Sequence, residues 1–141
     1  MAANIDPKLN EVIRASWFTI EPGTYVYTRV SSVPHPEQHL MVTRDRDEIT
    51  IVTETSRLPE LGEFERNPEN WKLVNIKCGK PFYCVGFLAA VATTMAENGL
   101  DITMTSTYTN DYIFFMEEEL EAGVKLLKEI GFQERQTRDT V

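Results

Sequence analysis

Residues 85–132 read VGFLAAVATTMAENGLDITMTSTYTNDYIFFMEEELEAGVKLLKEIGF, and nearly every residue type in this stretch agrees with one layout: helix, strand, strand, helix. Leu88, Val91, Ala92 and Met95 recur at the spacing of three and four that places them on one helical face, and Asn98 with Gly99 follows as the stop. A second helix repeats the pattern with Leu120, Val124, Leu127 and Ile130. The acidic run Glu117, Glu118, Glu119 stands at its positive dipole end, and Gly131 closes it. Between the helices, Leu100, Ile102, Met104 and Ser106 alternate with Asp101, Thr103 and Thr105, the pattern of a half-buried strand. Ile113, Phe114 and Phe115 form the denser apolar run of a central strand, so the hairpin turn is predicted near Tyr108 to Asp111.

Working outward, Trp71 to Ile76 supplies a strand before the first helix. Strand, helix, hairpin and helix together make the skeleton of a ferredoxin-like unit. The N-terminal half is less regular. Leu9, Val12, Ile13 and Ser16, leading to Trp17, predict a short amphipathic helix, Pro22 and Gly23 a turn, and Tyr25 to Val30 a strand. Pro34 and Pro36 interrupt the sheet, after which Leu40 to Thr43 and Ile49 to Thr53 pair as a hairpin across Arg44 to Glu48.

The segment Phe82, Tyr83, Cys84, Val85, Gly86, Phe87, Leu88, Ala89, followed by Ser106, Thr107, Tyr108, Thr109, Asn110, Asp111, Tyr112, resembles the ACT domain family, small regulatory modules that bind amino acids and usually pair with a second copy. The likeness is to the tandem ACT proteins related to the CASTOR-type cytosolic arginine sensors and their small bacterial relatives, and it is specific over the C-terminal half. It implies an α+β, ferredoxin-like ACT fold of two tandem ACT-like modules with antiparallel sheets flanked by helices. The expected organisation is a helical extension over 1–19, a degenerate ACT-like module over 20–65, an ACT domain over 66–134 and a flexible tail over 135–141. Pairing of such modules through exposed sheet edges leads us to expect a homodimer.

A ligand site can be argued from the two motifs. Gly86 stands where a strand must turn sharply into a helix, and the amides of Gly86, Phe87 and Leu88 would then offer a seat for a carboxylate. Asp111 on the hairpin could accept from an ammonium or guanidinium, with Ser106, Thr107 and Asn110 as neutral polar contacts. Phe82 and Tyr83 could wall the side-chain pocket, and Val85 lies within the same motif. Each has a plainer reading: the aromatics as core, Gly86 as a turn glycine, Asp111 as an exposed turn residue.

Composition limits the alternatives. The 141 residues are 42% hydrophobic, carry a net charge of −8 and a pI near 4.8, and lack an apolar run of the roughly 20 residues a membrane span needs. An acidic chain with no concentrated basic surface is a poor nucleic-acid partner, and neither a nucleic-acid nor a membrane partner is expected. Arg44 and Arg46, interleaved with Asp45 and Asp47, read as a solvated hairpin turn. The N-terminus shows no basic and apolar leader pattern, so a cytoplasmic protein is expected. Cys78 and Cys84 are too few for a disulfide framework and read as reduced and structural.

A small enzyme is the competing class. His35 and His39 are four apart, a metal-gripping spacing on a helix, but Pro34 and Pro36 put them in a loop. No Ser and His arrangement or glycine-rich phosphate loop appears, so neither catalysis, a metal nor a cofactor is expected. The sequence therefore reads as an amino-acid-binding regulatory protein, the alternative being an ACT-fold interaction module that has lost its ligand.

Overall fold

The structure, a computed structural model, describes residues 7–79 and 84–137. In chain order its elements are helix α1 (Pro7–Arg14), strands β1 (Trp17–Ile20), β2 (Tyr25–Val30), β3 (Met41–Arg44), β4 (Ile49–Glu54), β5 (Glu65–Arg66) and β6 (Trp71–Lys77), helix α2 (Phe87–Glu97), strands β7 (Ile102–Ser106) and β8 (Asp111–Met116), helix α3 (Leu120–Ile130) and strand β9 (Gln133–Glu134). The chain divides into two units, Met1–Pro22 with Lys72–Val141 and Gly23–Trp71.

In the first unit the strands run in the order β9, β1, β6, β8, β7. The ferredoxin-like expectation holds: β8 lies centrally, between β6 and β7, and its Ile113, Phe114 and Phe115 are fully buried. Full burial of a side chain of this size stabilises by about 1.5–3 kcal/mol. Ile113 and Phe115 share one core with Val74 and Ile76 of β6, Phe18 of β1, Phe87, Ala90, Val91 and Met95 of α2, and Leu127 of α3. Ile102 and Met104 of β7 pack at its edge, as the alternation predicts. The hairpin turns over 107–110, with Ser106 opposite Asp111. Glu117–Glu119 form a separate 3-10 turn, so α3 itself starts at Leu120; it ends where the Gly131 N–H bonds the carbonyls of Leu127 and Lys128.

The N-terminal residues depart from the sequence reading. Leu9, Val12 and Ile13 are buried in the core just described, so α1 is part of this unit, where a separate helical extension over 1–19 was expected. Trp17 leaves the helix to open β1, which pairs antiparallel with β6 from Trp17 opposite Lys77 to Ile20 opposite Val74. Residues 133–135 are also tied in. Gln133 and Glu134 pair with β1, the Arg135 N–H donates to the Phe18 carbonyl at 2.9 Å, and the Arg135 guanidinium lies 4.0 Å over the Trp17 ring.

The second unit is built on β4 between β3 and β2, both pairs antiparallel, with β5 on β2 and Tyr25 opposite Trp71. Val30, Ile49, Ile51 and Leu61 form its small core. It has no α-helix among its described residues, only the 3-10 turns Pro36–Gln38 and Thr55–Leu61. The β3–β4 turn is the predicted solvated one: the Asp45 carboxylate accepts from the backbone N–H groups of Asp47 and Glu48 at 2.8 and 3.0 Å.

Candidate functional site

Two turns of the first unit face one cleft of about 400 Å³. One is the entry to α2. Gly86 has φ +85°, a conformation that favours glycine, and it turns the chain so that the helix starts at Phe87. The Phe87 N–H is spent locally on the Cys84 carbonyl at 3.2 Å, and the helical ladder begins with the Ala90 N–H on the Gly86 carbonyl at 2.9 Å. No side chain caps the helix, which leaves the N–H groups of Leu88 and Ala89 as the acceptor-seeking donors of the first turn. Of the three amides singled out in the sequence at Gly86, Phe87 and Leu88, that of Phe87 is thus already bonded within the turn.

The other turn is the β7–β8 hairpin. The Thr107 N–H donates to the Asn110 carbonyl at 2.8 Å and the Asn110 N–H to Thr107 Oγ1 at 3.2 Å, which fixes the tip. Ser106 Oγ donates to Asp111 Oδ1 at 2.6 Å, holding the carboxylate in one orientation, and Oδ2 carries no hydrogen bond among the described residues. Asn110 Oδ1 is buried without a partner. An orphaned acceptor of this kind costs about 1–3 kcal/mol unless a ligand or water supplies a donor.

The cleft wall between the turns contains Cys78 and Cys84, neither in a disulfide. Burial, then the neighbouring Cys84 and Asp111, pushes the Cys78 thiol above its ordinary pKa against an opposing hydrogen bond with Ser16, so Cys78 is a neutral thiol at pH 7. Ser16 itself is buried and holds the chain here: its hydroxyl donates to the Val12 carbonyl at 2.6 Å and accepts from the Gly79 N–H at 2.6 Å.

Of the residues singled out in the sequence, Gly86, Phe87, Leu88, Ser106, Thr107, Asn110 and Asp111 line this cleft. Phe87 is nevertheless mainly core, 4% exposed with its ring edge-on to Phe132 at 5.6 Å. Val85 does not line the cleft and is 99% exposed, because the turn at Gly86 throws it outward. Phe82 and Tyr83 lie outside the described residues. Sequence reasoning missed Cys78, Cys84, Ala89, Tyr108 and Thr109 as lining residues. Cys84 and Ala89 flank the Gly86 turn and Tyr108 and Thr109 form the hairpin tip, so their neighbours signalled them; Cys78 had no such signal.

A larger hollow of about 810 Å³ in the second unit is lined by Arg29, Arg44 and Arg46 among Asp45, Asp47, Glu48, Glu63 and Glu65. Three arginines face five carboxylates, which leaves the hollow net negative, and Arg29 is tied up by bonding Glu65 at 2.6 Å and approaching Glu48 at 3.8 Å. His39 serves the fold: its Nε2 donates to the Pro34 carbonyl at 2.8 Å and its Nδ1 meets Thr53 Oγ1 at 2.9 Å. Among the described residues no three His, Cys, Asp or Glu side chains are grouped to hold a metal, and no helix is long and apolar enough to cross a membrane.

Residues 66–129 match the ACT domain family. The matched segment runs from β5 almost to the end of α3 and so contains both turns of the cleft. Among solved structures, a Vibrio cholerae protein described as of unknown function and a possible transport protein is similar at a TM-score of 0.76 and 21% identity, covering 88% of this chain and 96% of its own. An Agrobacterium tumefaciens protein is similar at 0.69 and 24% identity, covering 86% and 92%. The regulatory subunit of aspartate kinase from Thermus thermophilus, solved ligand-free, is similar at 0.59 and 11% identity, covering 80% and 95%. At these identities the likenesses establish the ACT fold. No curated protein matches the sequence.

Proposed function

We propose that this protein is a non-catalytic regulatory ACT protein that binds an α-amino acid in the Gly86–Asp111 cleft and changes its association with a second copy in response. The observation that carries this reading is the meeting of two complementary groups in one cleft: open N–H donors at Leu88 and Ala89, and the oriented Asp111 carboxylate with a free Oδ2. A ligand with a carboxylate and an ammonium a few ångströms apart satisfies both. The ACT match and the fold shared with a regulatory subunit of aspartate kinase support a regulatory role.

Val85 at 99% and Tyr108 at 91% exposure stand beside the two turns, and exposed apolar groups there favour a partner surface over the cleft mouth. A homodimer sharing the ligand between subunits is the arrangement this supports, and ligand would shift it by no more than its differential affinity for the two packings. A cytoplasmic setting suits two cysteines that form no disulfide.

The test is a thermal-shift screen against the standard amino acids, confirmed by calorimetry. A ligand at about a hundred times its Kd raises stability by roughly 2.7 kcal/mol. Asp111→Asn, which keeps the Ser106 bond but removes the charge, should abolish that shift while leaving the circular dichroism spectrum unchanged. Unaltered affinity in this variant overturns the site; silence across the whole screen favours the ligand-free interaction module. Light scattering with and without ligand reports the dimer, and a monomer at micromolar concentration in both states rejects it.

A further inference from the structure

We infer that Cys78 and Cys84 are a redox pair, joined on oxidation by a reversible disulfide that fastens the wall of the cleft. The inference stands apart from the amino-acid reading, since it needs only the two thiols and the wall they share. Both cysteines line the same cleft, both are half-buried, and neither is in a disulfide. Both also pack on the edge of the same core cluster. Cys84 is among the groups that push the Cys78 thiol up, and an electrostatic influence of this kind falls off with distance, so the two sulfurs are near neighbours.

The backbone presents the two thiols differently. Cys78 follows β6 and is fixed from behind. The Gly79 N–H donates to Ser16 Oγ at 2.6 Å, and a Cβ on Gly79 would lie 3.0 Å from that of Ala15, so the chain is pressed against the end of α1. Cys84 precedes the Gly86 turn, where its carbonyl accepts from the Phe87 N–H at 3.2 Å. Its sulfur makes only a long bond of 3.9 Å to the Val85 carbonyl, and giving that up costs little because a thiol is a weak donor. A bond between the two sulfurs ties the end of β6 to the entry of α2, beside the open N–H groups of Leu88 and Ala89.

The chemistry balances with hydrogen peroxide as oxidant. The thiolate of Cys84, next to the exposed Val85, attacks one peroxide oxygen; the O–O bond breaks, leaving a sulfenic acid and releasing hydroxide, which takes up the proton lost by the thiol. The Cys78 sulfur then attacks the sulfenic sulfur, and the departing hydroxide leaves as water with the Cys78 proton. Two thiols and one peroxide become one disulfide and two waters. Cys78 resolves and does not initiate, because its proton is held more tightly than an ordinary thiol's. Exchange with a small thiol reverses the bond, and in a reducing compartment such a disulfide is transient and sensing.

The experiment treats the full chain with hydrogen peroxide in native buffer. Intact mass is read first, then peptide mapping with chymotrypsin, which cuts between the cysteines at Phe82 and Tyr83. The expected product is lighter by two hydrogens, links Cys78 to Cys84 within one chain, and is restored by dithiothreitol. Cys78→Ser should instead accumulate sulfenic acid at Cys84, trapped by dimedone. The oxidised chain should have a higher urea midpoint than the reduced one, because a crosslink the fold accommodates constrains only the unfolded chain. The amides of Leu88 and Ala89 should exchange hydrogen about tenfold or more slowly. Linkage only between chains, or Cys84 carried on to the sulfinic acid while Cys78 stays a thiol, overturns the pair. An intrachain bond with an equal or lower urea midpoint shows that the fold does not bring the sulfurs together and overturns it equally; unchanged exchange at Leu88 and Ala89 overturns the fastening of the wall.

Discussion

Gly123 in the middle of α3 should be irreplaceable, although glycine is a poor helix former. Replacing it with alanine in an exposed helix would stabilise by about 1 kcal/mol. Here a Cβ built on Gly123 would run into three ring carbons of Phe115, well inside the ~3.5–4.0 Å of an unstrained carbon contact. Relief needs a shift of more than 1 Å, and Phe115 is fully buried in the central strand with no room to give it. Overpacking of this kind costs about 1–3 kcal/mol and occasionally more, so after the propensity gain of about 1 kcal/mol Gly123→Ala should destabilise by up to about 2 kcal/mol. Urea unfolding measures it, read as a lower midpoint at constant slope, with Ala122→Gly at the exposed neighbouring position calibrating the propensity. Phe115→Leu should make room for the methyl, so the double variant should show a favourable coupling of about 1 kcal/mol or more. If Gly123→Ala instead stabilises by the amount Ala122→Gly loses, the close approach of α3 to β8 is wrong.

The other expectations rest on single contacts. Ser16→Ala strands the Gly79 N–H and should cost about 1–3 kcal/mol in the same assay, a loss below about 0.5 kcal/mol refuting the bridge from α1 to the cleft wall. The Cys78 thiol has its pKa raised in the fold, so the unfolded chain releases its proton first as pH rises, and stability should fall above the ordinary thiol value of about 8.5. Measured from pH 8 to 9, where an ordinary tyrosine of pKa near 10 is at most about a tenth ionised, so that Tyr112, itself pushed up by burial and Glu21, adds little, Cys78→Ala should show a flatter profile; identical slopes reject the assignment. Asp111→Asn should remove ligand stabilisation and leave the urea midpoint without ligand within about 0.5 kcal/mol, as expected of a surface charge outside any ion pair.

The helices and the hairpin of the first unit were legible because their signals are local. Ile113 to Phe115 is apolar on both sides of the strand, and only a central strand buries both; the turn at 107–110 announced itself by its polar run. β1 was hidden for the opposite reason. The periodicity of α1 runs into Ser16 and Trp17, and although Trp17, Phe18, Thr19 and Ile20 are all strand-favouring types, four residues are too short a run to decide until Val74 to Lys77, more than fifty residues away, supply the ladder. β5 and β9, two residues each, exist likewise only through their partners. Cys78 joins the cleft by the same route, at the end of β6 and held through Gly79 by Ser16, so a residue with no local signature became part of its wall.

The same division governs how the site can change. The core places β8 and α2 through Phe115, Ile113, Val91 and Met95, none of which lines the cleft, while the cleft is formed by side chains on the two turns that those elements carry. Under the proposed function, ligand preference could therefore drift through Cys84, Leu88, Thr107 or Thr109 with little effect on stability, whereas Gly86 and Asp111 are constrained, one by its positive φ and the other by the hydroxyl that orients it. Phe87 joins the two systems, buried against Phe132 on one side and bordering the cleft on the other. Its ring is the contact through which occupancy of the cleft would reach the core, since Phe132 also leads into β9, which pairs with β1. Phe87→Leu should separate the roles: a core loss of about 1–2 kcal/mol without ligand, from the smaller side chain, and retained amino-acid affinity with a weakened effect of ligand on the dimer equilibrium. Calorimetry and light scattering on that variant read the two quantities independently, and an unchanged coupling would remove Phe87 from the route.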